Sequence, residues 1–272
     1  MQNFTELYGR FLDTSGIENK RLDISYGKDE ANKLDIYYPQ QGNGPWPAIV
    51  FFHGGGFIKG NKGRYQLRPA LRGLEKGYAV ISVGYRLAPK HPASAAFDDA
   101  MAAMDYLLKH SAQLNLDVQR MAVWGESVGA MLACWAGFSL PVQAIISWYT
   151  PLDLRNINEA VFEGMFPAES LAAYIFDATG ERLALLCEKY DPRYMEKKNL
   201  PAIMIQHGTA DDLVPVQNAV EFHAHLSSVL PSNKNCLRLV EGAMHGIEDF
   251  DTPENLREVY EFLDKHIKPT KA

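Results

Sequence analysis

The 272-residue sequence predicts an α/β fold, a mostly parallel sheet covered by helices on both faces. Three observations lead there. Short β-rich runs alternate with amphipathic helical segments almost throughout the chain. Most of the runs are continuously apolar, the pattern of strands buried on both faces. The run Arg120–Trp124 ends in Gly125-Glu126-Ser127-Val128-Gly129, after which Val128, Met131, Leu132 and Trp135 recur at helical spacing. Strand, sharp turn and helix in that order are the sequence form of a turn that lifts a serine hydroxyl clear of the backbone.

The elements follow in order. Arg21–Tyr26 and Lys33–Tyr38 open the chain as strands. The second alternates Leu34 and Ile36 with Lys33 and Asp35, as a half-exposed strand near an antiparallel edge does. Ala48–Phe52, Ala79–Val83, Ala122–Trp124, Ala144–Ser147, Ile203–Gln206 and Cys236–Val240 read as buried strands. Between them, Asp98–His110 places Met101, Met104, Leu107 and Leu108 on one side of a helix, and Val216–Leu230 carries Ala219, Val220, His223 and Leu226. A final helix has Thr252 as N-cap and Pro253 in its first turn, with Leu256, Val259, Phe262, Leu263 and Ile267 facing inward.

One connection is too long. From Ser147 to Ala202 the chain spends more than fifty residues where a strand–helix–strand crossover needs about half as many. The surplus, about 152–190, holds Phe162, Met165, Phe166, Tyr174, Ile175 and Phe176. It reads either as extra helices thickening the core or as a small helical lid closing over a site. A single domain over 1–272 with this insertion is the expectation.

Composition excludes several classes of function. A net charge of −6 argues against a nucleic-acid or anionic-membrane surface as the main partner. No apolar run approaches the length needed to cross a bilayer. Met1–Glu6 has neither a basic start nor an apolar core, so no secretory signal is expected. Cys134, Cys187 and Cys236 are widely spaced, with no metal-ligand pattern and no disulfide framework. Buried thiols in a reduced, cytoplasmic protein are the expectation, with neither metal nor organic cofactor.

A serine nucleophile needs a base, a group to orient that base and donors for an oxyanion. Among eight histidines, His245 stands out because Gly242-Ala243-Met244-His245-Gly246 directly follows the last apolar strand. For the acid, Asp211 and Asp212 both follow the strand ending at Gln206, at the sheet edge where ligand and catalytic groups collect; spacing does not choose between them. For the oxyanion, His53-Gly54-Gly55-Gly56-Phe57 leaves an apolar strand as a run of backbone N–H groups without side chains. The N–H of Val128, next after the serine, is a second donor. No lysine–serine pair opens a helix after the glycines, which excludes a phosphate loop.

Taken together, His53-Gly54-Gly55-Gly56-Phe57, Tyr85-Arg86-Leu87-Ala88-Pro89-Lys90-His91-Pro92 with Ala95-Ala96 and Asp98-Asp99, Gly125-Glu126-Ser127-Val128-Gly129, His207-Gly208-x-x-Asp211-x-x-Val214-Pro215 and Met244-His245-Gly246 resemble the α/β-hydrolases of the carboxylesterase type, near the hormone-sensitive-lipase-like esterases. The resemblance spans about Leu34 to His245. It implies an α/β-hydrolase fold with an eight-stranded sheet, the second strand antiparallel, and the catalytic order Ser127, Asp211, His245. The acid carries over to Asp211, three residues before Val214-Pro215, and the oxyanion donors to Gly55, Gly56 and Val128. Phe57, Trp148 and Tyr149 are expected to meet the substrate, Trp148 or Tyr149 as a stacking surface for a sugar ring, while the aromatics of the insertion suit an apolar or aryl alcohol half.

Two departures matter. Val128 stands where lipase-like relatives usually carry alanine, which narrows the acyl side, and only about twenty residues precede the first strand. The motif around Asp211 is closer to small bacterial feruloyl-esterase-like and carbohydrate-acetyl-esterase-like proteins. The implied activity is hydrolysis of short-acyl carboxylic esters, with small-molecule esters as partners. Carbohydrate esterase and amidase or formamidase are the alternatives on the same scaffold. A non-catalytic binding module does not suit a chain that keeps both serine and histidine. Pairing of two copies through Cys236–Val240 and Leu256–Ile267 is a further implication of the resemblance.

Overall fold

A computed structural model describes residues 9–159 and 170–268. Its strands are β1 (Lys20–Ser25), β2 (Lys33–Tyr37), β3 (Trp46–Phe52), β4 (Ala79–Val83), β5 (Leu116–Glu126), β6 (Ala144–Trp148), β7 (Ala202–Gly208) and β8 (Asn235–Val240). They form one eight-stranded sheet in the order β1-β2-β4-β3-β5-β6-β7-β8. β2 pairs antiparallel with both β1 and β4, and every other pairing is parallel. This is the α/β-hydrolase arrangement that the sequence implies. Each expected strand lies within two residues of its place at both ends except β5, which begins at Leu116, well before the apolar run.

Two apolar layers flank the sheet. One is built on α2 (Ser94–Lys109), α3 (Val128–Ser139) and α6 (Gln217–Ser227); Met104, Leu132 and Phe222 are fully buried there. The other lies under α7 (Pro253–Ile267) and the short helical segment 65–76 that contains α1 (Arg68–Leu71), with Trp124, Trp148, Val259 and Leu263 at its centre. α7 starts as expected, with Thr252 Oγ accepting the Asn255 N–H and Pro253 following at the first turn. The Asn255 side chain pairs with Gln206 at 2.6 and 3.1 Å, which fixes the helix start against β7.

The long connection holds α4 (Leu171–Phe176) and α5 (Gly180–Tyr190). Ile175 and Phe176 are buried, Tyr174 is half-buried, and the Tyr190 ring stacks on Phe97 at 3.9 Å. These helices thicken the α2–α3 layer. Phe162, Met165 and Phe166 of the expected insertion lie outside the described residues. Of the three thiols, Cys134 and Cys187 are buried and Cys236 is half-buried; all are free. Among the described residues no helix is long and apolar enough to cross a membrane.

Candidate active site

The turn after β5 is tight because its glycines leave no room for a side chain. A Cβ on Gly129 would lie 2.2 Å from the Phe52 carbonyl oxygen and 2.3 Å from that of His53, and one on Gly125 would lie 2.2 Å from the Gly129 carbonyl. Ser127 takes φ 51° and ψ −127°, a conformation costing on the order of 1–3 kcal/mol that surrounding structure must hold. The hold is visible: its N–H donates to the Trp148 carbonyl at 2.9 Å, and its own carbonyl accepts from Ala130 as α3 begins.

Two loops bring an imidazole and a carboxylate to this hydroxyl. The loop after β8 turns at Gly242 (φ 72°), and the Ala210 N–H donates to the Ala243 carbonyl at 3.0 Å, clasping it to the loop after β7. His245 Nε2 lies 3.0 Å from Ser127 Oγ, and its Nδ1 lies 2.8 Å from Asp211 Oδ2. Since Nδ1 faces a carboxylate, it carries the hydrogen and leaves Nε2 as an acceptor for the serine proton. Asp212, the other residue that spacing allowed, is exposed, and its backbone carbonyl accepts from Asn158.

Asp211 is buried among donors. Oδ1 accepts the N–H groups of Leu213 and Val214 at 3.0 and 2.8 Å, while Oδ2 faces both His245 and His207 Nε2, the latter at 3.1 Å. Burial alone would raise this carboxyl. Hydrogen bonds from His207 and then His245 outweigh it and hold the group well below the usual carboxylate range.

The glycine loop after β3 is fixed against the same turn. The Gly55 carbonyl accepts from Ile58 and Lys59 at 3.0 Å each, and at φ 117° a Cβ there would meet the Lys59 carbonyl at 2.2 Å. His53 stacks on Tyr85 at 4.2 Å, with its Nδ1 2.7 Å from the Gly54 carbonyl, while the Tyr85 hydroxyl donates to the His53 carbonyl. Burial pushes the His53 imidazole down to about 4. Arg86 clamps Asp99 through Nε and Nη2 at 2.7–3.0 Å, anchoring the segment behind the loop. Gly56 and Val128 line a small apolar cavity beside Ser127, walled by Pro151, Leu154, Ile157, Leu171, Leu213 and Val214.

Three expected substrate contacts need correction. Phe57 is fully buried, packed against Tyr85 and Phe97. Trp148 lies in the α7 layer against Trp124 and Phe250. Tyr149 is also buried, its ring edge-on to His245 at 4.7 Å and its hydroxyl donating to Glu126 Oε2. None offers an open face for a sugar or aryl ring. The end of β6 turns its large rings into the core, which an aromatic pair in sequence does not reveal.

Two residues of this site escaped the sequence reading. Glu126, the residue before the nucleophile, is buried; its carboxyl accepts the Gly54 N–H at 3.0 Å and the Tyr149 hydroxyl, and burial raises it to about 7. A charged residue between a buried strand and a buried helix was the available signal. His207 ends the apolar run of β7 in the same way. Among the described residues no three His, Cys, Asp or Glu side chains group as metal ligands.

Comparison with known proteins places this geometry in a family. The BD-FAE family model matches residues 34–226, which include the glycine loop, Ser127 and Asp211. Carboxylesterase NlhH of Mycobacterium tuberculosis is 34% identical over 150 residues, 53% of this chain and 46% of that protein. Esterase LipI of the same organism is 39% identical over 87 residues, 32% of this chain and 27% of that protein. The chain thus spans about a quarter and about a half of the lengths of these two relatives. A truncated carbohydrate esterase from gut microbiota superposes at TM-score 0.80 with 20% identity, covering 94% of this chain and 99% of that one. Thermogutta terrifontis esterase 2 superposes at 0.73 with 24% identity, covering 97% and 99%. Those likenesses show the fold, and the family match, over well more than half of the sequence, shows that this chain belongs to the BD-FAE family.

Proposed function

We propose that this protein is a serine hydrolase that cleaves short-acyl carboxylic esters through an acyl-enzyme. The observation that carries the reading is the array Ser127 Oγ, His245 Nε2 at 3.0 Å, and Asp211 Oδ2 2.8 Å from His245 Nδ1. In this reading Ser127 attacks the ester carbonyl as His245 takes its proton, and Asp211 holds the ring and offsets its positive charge. The N–H groups of Gly55, Gly56 and Val128 receive the oxyanion, each worth about 3–4 kcal/mol of barrier in comparable sites. His245 then protonates the departing alcohol, and water repeats the sequence on the acyl-enzyme.

The acyl group enters the small cavity beside Ser127, where Val128, Leu154, Ile157 and Leu171 stand around it. The 152–190 insertion of this single domain thereby supplies an acyl wall, which supports a preference for acetyl to butyryl groups. The esterase and carboxylesterase names of the partial relatives support the ester as the bond cleaved. Three free thiols suit a reducing compartment, and we place the enzyme in the cytoplasm. A homodimer closing the outer edge of β8 with α7 belongs to the same reading, and a mass measurement in solution tests it. A panel of p-nitrophenyl esters and acetylated sugars, assayed with wild type and S127A, tests the activity. Turnover of short esters that S127A abolishes is expected; equal turnover by S127A, or none by wild type, contradicts it.

A further inference from the structure

We propose that His207 is a positioning residue: its Nε2–H holds the Asp211 carboxylate in the orientation and charge state that His245 requires. This rests on the hydrolase reading above. His207 is the penultimate residue of β7, and its side chain is fully buried. Its Nε2 lies 2.9 Å from the Val214 carbonyl oxygen and 3.1 Å from Asp211 Oδ2. Both neighbours are acceptors, so this nitrogen carries the ring hydrogen and shares it between them. Nδ1 is buried with no hydrogen-bond partner among the described residues, so the other tautomer would leave its N–H unpaired and two acceptors facing a bare nitrogen.

The loop that carries the acid closes around this ring. Val214 donates its N–H to Asp211 Oδ1 and offers its carbonyl to His207, while Leu213 adds a second N–H to Oδ1. The Asp211 carboxylate therefore meets four donors, two on each oxygen. Only Oδ2 touches His245, and there the other donor is His207. That donor has two effects. It restrains rotation of the carboxylate away from His245, which His245 cannot do alone as its ring moves during proton transfer. It also occupies lone-pair density on Oδ2, so the carboxylate stays ionised and stabilises the imidazolium without taking its proton.

The decisive comparison is between two amides. Glutamine reaches about as far as Nε2 of the imidazole and keeps a donor there; asparagine falls short and leaves Oδ2 without it. H207Q is expected to keep kcat/KM within about three-fold of wild type. H207N is expected to lower kcat about 30-fold, the rate equivalent of one hydrogen bond to a charged group, with KM little changed. Its acidic limb in the kcat/KM profile should move to higher pH, because Asp211, freed of one donor, binds the His245 proton more strongly. Rates are taken per folded molecule, measured by circular dichroism. H207N with wild-type kcat and an unmoved limb, or H207Q as impaired as H207N, overturns the proposal. Should H207N not fold, nitrogen NMR of ¹⁵N-histidine-labelled wild type decides: hydrogen on Nε2 of His207 supports the assignment, hydrogen on Nδ1 overturns it. A wild type that hydrolyses no ester sinks the hydrolase reading instead, and the NMR result separates the two failures.

Discussion

Glu126 accepts the N–H of Gly54, so the residue before the nucleophile is tied directly to the glycine loop that faces it across β3 and β5. The same loop begins at His53, whose ring is equally buried. Burial moves the two groups in opposite directions, Glu126 from 4.5 up to about 7 and His53 from 6.5 down to about 4. Both shifts disfavour the charged form, and each is worth on the order of 3 kcal/mol.

The signs give a test by pH. Between about 4.5 and 7 the folded state holds the Glu126 proton that the unfolded chain releases, so this group makes stability fall as pH rises. Between about 4 and 6.5 the unfolded chain binds a proton at His53 that the folded state refuses, so this group makes stability rise with pH. The two slopes nearly cancel over their shared range. E126Q, which keeps the shape, should unmask the His53 slope, gaining on the order of 3 kcal/mol over wild type between pH 4 and pH 8. Denaturant midpoints across that range measure it; a constant difference between the two proteins contradicts the assignment.

Asp211 should have a large effect on rate, though a smaller one than the nucleophile itself. D211N removes the charge that fixes His245 Nδ1 as the donor, and kcat should fall on the order of 10⁴-fold with the fold intact. Steady-state kinetics on p-nitrophenyl acetate checks this, and a loss below ten-fold tells against the proposed role.

Gly129 is constrained by backbone on two sides, with the carbonyls of Phe52 and His53 where a methyl would sit. G129A cannot be accommodated by moving a flexible side chain. It should destabilise the protein by about 3 kcal/mol or more and lower the yield of folded enzyme. Thermal melts decide, and a shift of less than about 2 °C would mean that the turn is looser than described.

Chain-length preference follows from the cavity wall. V128A removes two methyl groups beside the acyl position and should raise the hexanoate-to-acetate ratio of kcat/KM about ten-fold. An unchanged ratio places the acyl chain elsewhere.

The sheet was legible because buried parallel strands are written as short, β-branched-rich apolar runs, as at Ala48–Phe52 and Ile203–Ile205, while the longer apolar run Val128–Phe138 is rich in alanine and glycine and forms a helix. The meeting of Ser127 with His245 was legible because each stands on a glycine-flanked loop at the same end of its strand. The choice between Asp211 and Asp212 was not legible from spacing, since both follow the same turn; the family resemblance pointed to Asp211, whose side chain the folded loop buries while Asp212 is exposed. Nor was the fate of Trp148 and Tyr149: a strand end can turn a ring towards solvent or towards either helical layer, and here Phe250 and Glu126 draw both inward. Glu126 itself sat in a motif position that pattern reading leaves blank.

Ser127 should behave as an activated nucleophile towards an active-site label. Folded protein treated with a fluorophosphonate should gain the mass of one phosphonyl group, mapped by peptide sequencing to Ser127 and strongly slowed in H245A. Absence of label on folded wild type, or label on a different residue, would contradict the account.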